Sequence, residues 1–192
     1  MNIAVYSGSF NPLHIGHLAI IKHMIEEAGF DMVYLIVSPK NPLKDGISAT
    51  TGRERYEAAM AAVQRHFSCG TFSEAEKVRG DDIELNMPEP HYTVRTLKAL
   101  REREPQNDFT FVMGADNLAD IRRWREYQTI LRDFGVAVFP RNGHDLEQIK
   151  KDLQSEDPAY RIQILDAPMV DISSTQIREA IASGRDISEF LM

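Results

Sequence analysis

Short runs rich in β-branched and aromatic residues alternate with amphipathic stretches from one end of this 192-residue chain to the other, and that alternation leaves few folds open. The runs Asn2–Ser7, Met32–Val37, Asp108–Met113, Gly135–Phe139 and Arg161–Leu165 read as strands buried on both faces of a sheet. Between the strands, Tyr56, Ala59, Met60, Val63 and Phe67 recur at three- and four-residue steps, which predicts a helix over Thr51–Phe67. Thr93, ahead of Val94, Leu97 and Leu100, is the expected N-cap of a further helix. Ser173 with Gln176 has the spacing of a capping box, and Gly184 is expected to stop that last helix. Crossovers of this length predict an α/β fold: one domain over residues 1–192, built on a doubly wound, mainly parallel sheet. Ligands in such sheets bind beyond the carboxyl ends of the strands. The polar stretch Glu74–His91, with its two prolines, is expected to be a long loop inside that domain.

Composition narrows the function classes. Hydrophobic residues make up 43% and charged residues 27%, and no unbroken apolar run is long enough for a bilayer, so no membrane association is expected. The N-terminus, Met1-Asn2-Ile3-Ala4-Val5-Tyr6, has no basic start or secretory apolar stretch, and Cys69 is the single cysteine. Together they suit a reducing cytoplasm. A formal net charge of −7 leaves no broad basic face for nucleic acid, whereas a small phosphorylated ligand needs only a local cluster.

Such a cluster has an obvious place. The first strand runs into Gly8-Ser9-Phe10-Asn11-Pro12-Leu13-His14-Ile15-Gly16-His17, with helical spacing resuming at Leu18. Gly8 allows close backbone approach, and the free N–H groups of a helix start favour an anion such as phosphate. His14 and His17 are three residues apart and share a face if that segment is already helical. Either one alone reads as a polar loop residue. As a pair at a strand's carboxyl end they are placed to donate hydrogen bonds to phosphate oxygens. Zinc is the rival role, and no third ligand lies nearby in the sequence. A second constellation, Asp171-Ile172-Ser173-Ser174-Thr175-Gln176-Ile177-Arg178, opens the last helix. Its hydroxyls can cap or donate, and a cation such as Arg178 near a helix start is favourable when an anion sits there.

The segment Gly8–Leu18 resembles the (H/T)xGH signature of the nucleotidylyltransferase superfamily, in the form carried by nicotinate-nucleotide adenylyltransferases. The same His14-Ile15-Gly16-His17 spells the HIGH motif of class I aminoacyl-tRNA synthetases, but the chain is too short for a synthetase and has no KMSKS-like segment. Asp171–Arg178 resembles the family's ISSTxIR motif. Ser38–Lys44 stands where the family has a basic loop, with Asn41-Pro42-Leu43-Lys44 replacing its usual prolines and histidine, and further basic side chains follow in Thr51–Arg55. Pro90–Leu97 resembles the SYTxxTL segment with His91 for serine. Gly114-Ala115-Asp116-Asn117-Leu118, followed by Trp124, resembles the GxDxL…W block, with Arg125 where the family often has an aromatic residue.

The resemblance implies a Rossmann-like nucleotidylyltransferase fold whose last helices, about 171–192, complete an ATP site. The implied reaction transfers AMP from ATP to nicotinate mononucleotide, releasing pyrophosphate. His14, His17, Lys44 and Arg178 would be catalytic. Gly8, Ser9, Phe10, Gly16, His17, Lys40, Gly114, Asp116, Ile172, Ser173, Ser174, Thr175 and Arg178 would bind ATP, while Ser9, Tyr92, Thr93, Trp124 and Arg141 would bind the pyridine nucleotide. Mg2+ would arrive mainly on ATP's phosphates, with no protein-held metal, and a homo-oligomer stays open. Other nucleotidylyltransferases acting on nicotinamide, phosphopantetheine or cytidylyl substrates, and a sensor that binds nucleotide without turnover, are the alternatives.

Overall fold

Ile3 and Val5 of the first strand point to one face of the sheet and Ala4 and Tyr6 to the other, and each set sits in its own apolar cluster. A strand with two buried faces belongs in the middle of a sheet, and that is its position here. The computed structural model describes residues 1–39, 51–67, 75–141, 143–167 and 174–186. Six strands, β1 (Asn2–Gly8), β2 (Met32–Val37), β3 (Val78–Asp81), β4 (Asp108–Gly114), β5 (Val136–Phe139) and β6 (Ile162–Ile164), form one sheet in the order β3-β2-β1-β4-β5-β6. Every pairing is parallel. This is the Rossmann-like, doubly wound order. The connections reverse direction between β1 and β4, which opens a crevice beyond their carboxyl ends.

On one face, α1 (Ile15–Glu26) and α2 (Gly52–Phe67) bury Leu18, Ile21, Met24, Ala59 and Val63 against Ala4, Leu35 and Val112. On the other, α4 (Thr93–Arg103) and α7 (Leu146–Glu156) bury Val94, Leu97, Leu100 and Leu153 against Ile3, Val5, Phe109 and Phe111. The shorter helices α3 (Ile83–Asn86), α5 (Ala115–Ala119) and α6 (Tyr127–Thr129) lie in the connections, and α8 (Ser174–Ala182) comes last among the described residues. Among the described residues no helix is long and apolar enough to cross a membrane.

The sequence expectations need four corrections. Glu74–His91 is not a loop, because it holds β3 and α3. Val78-Arg79-Gly80-Asp81 carries no apolar alternation, and what makes it a strand is its parallel pairing with β2 at the sheet edge. Thr93 is the first helical residue of α4, and Tyr92 occupies the cap position in extended backbone. Helix α1 begins at Ile15, three residues before Leu18, so the histidine motif straddles a helix start. Gly135 lies outside β5 because its φ of +78° breaks the strand. Gly184, with φ +69°, does end the last helix: its N–H bonds Ile181 O and the next N–H bonds Ala180 O.

Candidate active site

The carboxyl ends of β1, β2, β4 and β5 deliver the residues around the crevice. After β1 the chain turns sharply through Ser9 and Phe10, and the Phe10 ring lies over Gly8, where a Cβ would come within 3.1 Å of it. Phe10 itself has φ +40°, a conformation that costs a non-glycine residue on the order of 1–3 kcal/mol and persists only where its surroundings hold it.

His14 caps α1 and His17 sits one turn in, with ring centroids 3.7 Å apart. The His14 backbone N–H donates to His17 Nδ1 at 3.2 Å. That bond requires Nδ1 to be unprotonated, so the neutral His17 ring carries its proton on Nε2. Tyr6, Phe10 and His14 enclose most of the ring, and part of its surface stays open. Burial is the main reason its pKa lies well below the usual histidine value, with the neighbouring His14 and the Arg141 cation adding to the effect. Burial, then Arg141, lowers His14 to about 4. Both rings are neutral near pH 7 without ligand. His14 Nδ1 is buried and has no partner.

Residues lying 162 and 167 positions further on complete this end of the sheet. Arg178 Nη1 donates to Asn11 O at 2.7 Å and Nη2 to Thr175 Oγ1 at 3.0 Å, while Ser174 Oγ donates to Pro12 O at 3.1 Å. The first turn of α8 is therefore docked on the loop that leads to the histidines. Arg141, expected on the pyridine side, stacks its guanidinium 5.4 Å from the Phe139 ring centre, and its charge reaches Tyr6, His14 and His17. After β4, the missing Cβ of Gly114 makes room for Asp116 Oδ1, which lies 2.5 Å from where that atom would be.

Other expected contacts lie on the opposite face of the sheet from the Tyr6 and Phe10 side chains. Tyr92 and Trp124 both pack against the cluster under α4, and Trp124 meets Phe111 edge to face at 5.9 Å. The Trp124 indole N–H is buried without a partner. No side chain caps the start of α4 at Thr93. Lys40, Lys44, Ile172 and Ser173, like Cys69, lie outside the described residues.

Three groups have supporting roles that the sequence did not assign. Glu84 is buried and accepts a 2.8 Å bond from Thr96 Oγ1 in the first turn of α4, which braces that helix start. His91 is buried with Nε2 3.1 Å from Met87 O. Arg55 is buried beneath the loops after β1 and β2, and only its place in a basic run marked it in advance. Glu84 and His91 fall in the stretch taken for a loop, where nothing signals burial.

The cytidylyltransferase-like family profile matches residues 5–180. A probable nicotinate-nucleotide adenylyltransferase of Flavobacterium johnsoniae is 37% identical over 191 residues, covering 100% of this chain and 92% of the relative. The chain belongs to this adenylyltransferase family. A second member, from Bacteroides fragilis, is 34% identical over 187 residues, covering 97% of this chain and 85% of its own. Among solved structures, the Plasmodium falciparum nicotinic acid mononucleotide adenylyltransferase complexed with NaAD superposes with a TM-score of 0.78 at 21% identity, covering 98% of this chain and 87% of the other. At that identity the likeness is one of fold alone.

Proposed function

We propose that this protein transfers AMP from ATP to nicotinate mononucleotide, forming nicotinate adenine dinucleotide and pyrophosphate. A mononucleotide phosphate oxygen attacks the α-phosphorus, the bond to the β-phosphate's bridging oxygen breaks, and pyrophosphate carries away the electron pair. No protein nucleophile is needed. Catalysis consists of aligning two anions and stabilising charge on the transferring group. The observation that carries this reading is the docking of Ser174 and Arg178 onto Pro12 and Asn11, which joins two phosphate-suited segments far apart in sequence.

His17 Nε2–H is the donor assigned to the transferring phosphate. A neutral N–H strengthens its bond as negative charge develops there, and it repels no cation in the resting site. Arg178 carries the pyrophosphate side, with Lys40 and Lys44, which follow β2 in the sequence, assigned to the same load, and Arg141 is assigned to the pyridine nucleotide. Among the described residues no three His, Cys, Asp or Glu side chains come together to hold a metal. Mg2+ is assigned to ATP's own phosphates, with water completing its octahedron. The uncapped N–H groups at the Thr93 helix start suit the carboxylate of a nicotinate ring, and Trp124 is the stacking surface assigned to it.

The test is pyrophosphate release from MgATP with nicotinate and nicotinamide mononucleotides supplied in parallel. The reading expects release with both or with the acid alone, and faster turnover of the acid. Silence with both acceptors, in a protein that binds ATP, would overturn it.

A further inference from the structure

Arg55 is 4% exposed, and among the described residues it meets no carboxylate. Its guanidinium donates to three backbone carbonyls instead: Nη1 to Ser9 O at 2.6 Å and Ser38 O at 3.0 Å, and Nη2 to Pro39 O at 2.9 Å. Its Nε has no partner. A buried cation balanced only by carbonyl dipoles is a costly way to fill space, since an apolar side chain of similar volume avoids the desolvation. What the cation achieves is geometric: it ties the loop after β1 to the loop after β2.

Local sequence seats it there. Thr51 and Glu54 form a reciprocal capping box, with Thr51 N–H to Glu54 Oε2 at 2.7 Å and Glu54 N–H to Thr51 Oγ1 at 3.1 Å, and this box sets the first turn of α2. Gly52 lets that turn press inward, because a Cβ would lie 2.8 Å from Leu85 Cδ2 and 3.2 Å from Pro39 Cα. The bond to Ser9 O then has a consequence at the next residue. The Ser9–Phe10 peptide is trans, so a carbonyl drawn inward to Arg55 turns the Phe10 N–H the opposite way. Phe10 is the residue held at φ +40°.

We propose that Arg55 is a positioning residue for adenylyl transfer: by gripping the Ser9 carbonyl it holds the Phe10 N–H outward as a phosphate donor. The proposal rests on the reaction assigned above. It is tested with Arg55→Met and Arg55→Lys, each assayed below its own unfolding midpoint. Arg55→Met is expected to lose about 10²-fold in kcat, the usual effect of removing one such donor. The KM for mononucleotide should move less than about threefold. Arg55→Lys, which keeps the charge and part of the bonding, is expected to fall between. Amide hydrogen exchange supplies a readout independent of turnover: MgATP should protect the Phe10 amide in the wild type and not in Arg55→Lys. Folded variants with unchanged kcat, or a Phe10 amide that nucleotide does not protect in the wild type, would overturn the proposal. Failure of both variants to fold would assign Arg55 to stability and overturn it as well. Wild-type protein silent with every acceptor would sink the reaction assignment, while exchange with MgATP alone would still decide the role of Arg55.

Discussion

His17 is a donor whose proton is already in the right place. Its Nδ1 is taken by the His14 N–H, and burial keeps the ring neutral, so Nε2–H is the group left to meet phosphate. His17→Ala should therefore cost about 10²–10³ in kcat, while ATP affinity by calorimetry changes by only a few-fold. Parallel losses in both would refute a role confined to the transition state. The depressed histidine pKa values also bear on stability. As pH falls below about 6.5, the unfolded chain takes up protons that folded His14 refuses until about 4, so ligand-free stability must drop across that window. Thermal unfolding from pH 7 to 4.5 should show the drop, and a shallower slope for His14→Gln would trace it to this ring. An identical slope would remove His14 from the account. The pair was legible in the sequence because its members are three residues apart. Arg55 was not, because its purpose exists only where the carbonyls of Ser9, Ser38 and Pro39 converge.

The helices that carry the site depend on their first turns. Thr51→Ala removes half of the α2 capping box and should lower stability by about 1 kcal/mol in a denaturant titration, the usual worth of such a cap. No change would mean the box is redundant with the packing of Gly52. On α8, Arg178 both docks the helix onto Asn11 and faces the proposed pyrophosphate side, so Arg178→Ala should raise the KM for ATP more than that for the mononucleotide. An ATP KM that stayed put would move the polyphosphate elsewhere. The central strands could be read in advance because burial on both faces demands uninterrupted apolar residues. Strand β3 could not: Arg79 and Asp81 of this edge strand bond Tyr34 and Arg103, partners that only the fold supplies. The start of α4 moved by one residue for a similar reason, since Tyr92 holds the cap position in extended backbone and no side-chain bond marks it.

At the scale of the whole molecule, a chain of net charge −7 has Arg141 and Arg178 at the carboxyl end of its sheet, where the proposal sets the nucleotides. MgATP at a hundredfold excess over its Kd should raise unfolding stability by about 2.7 kcal/mol through mass action alone, measurable as a shift in the denaturation midpoint. A shift absent at concentrations that saturate turnover would mean that the unfolded chain binds nucleotide as well. By itself the sequence determined the layers, the central strands and the two phosphate-suited segments, because hydrophobic period and contiguous motifs are local properties of a chain. The tertiary structure alone decided that Arg178 reaches Asn11, that Arg141 bears on the histidine pair, that Glu84 braces α4 and that Arg55 grips Ser9. Each of those contacts joins residues that the fold brings together, and at Glu84 and Arg55 burial, which a linear chain does not have, adds to its strength.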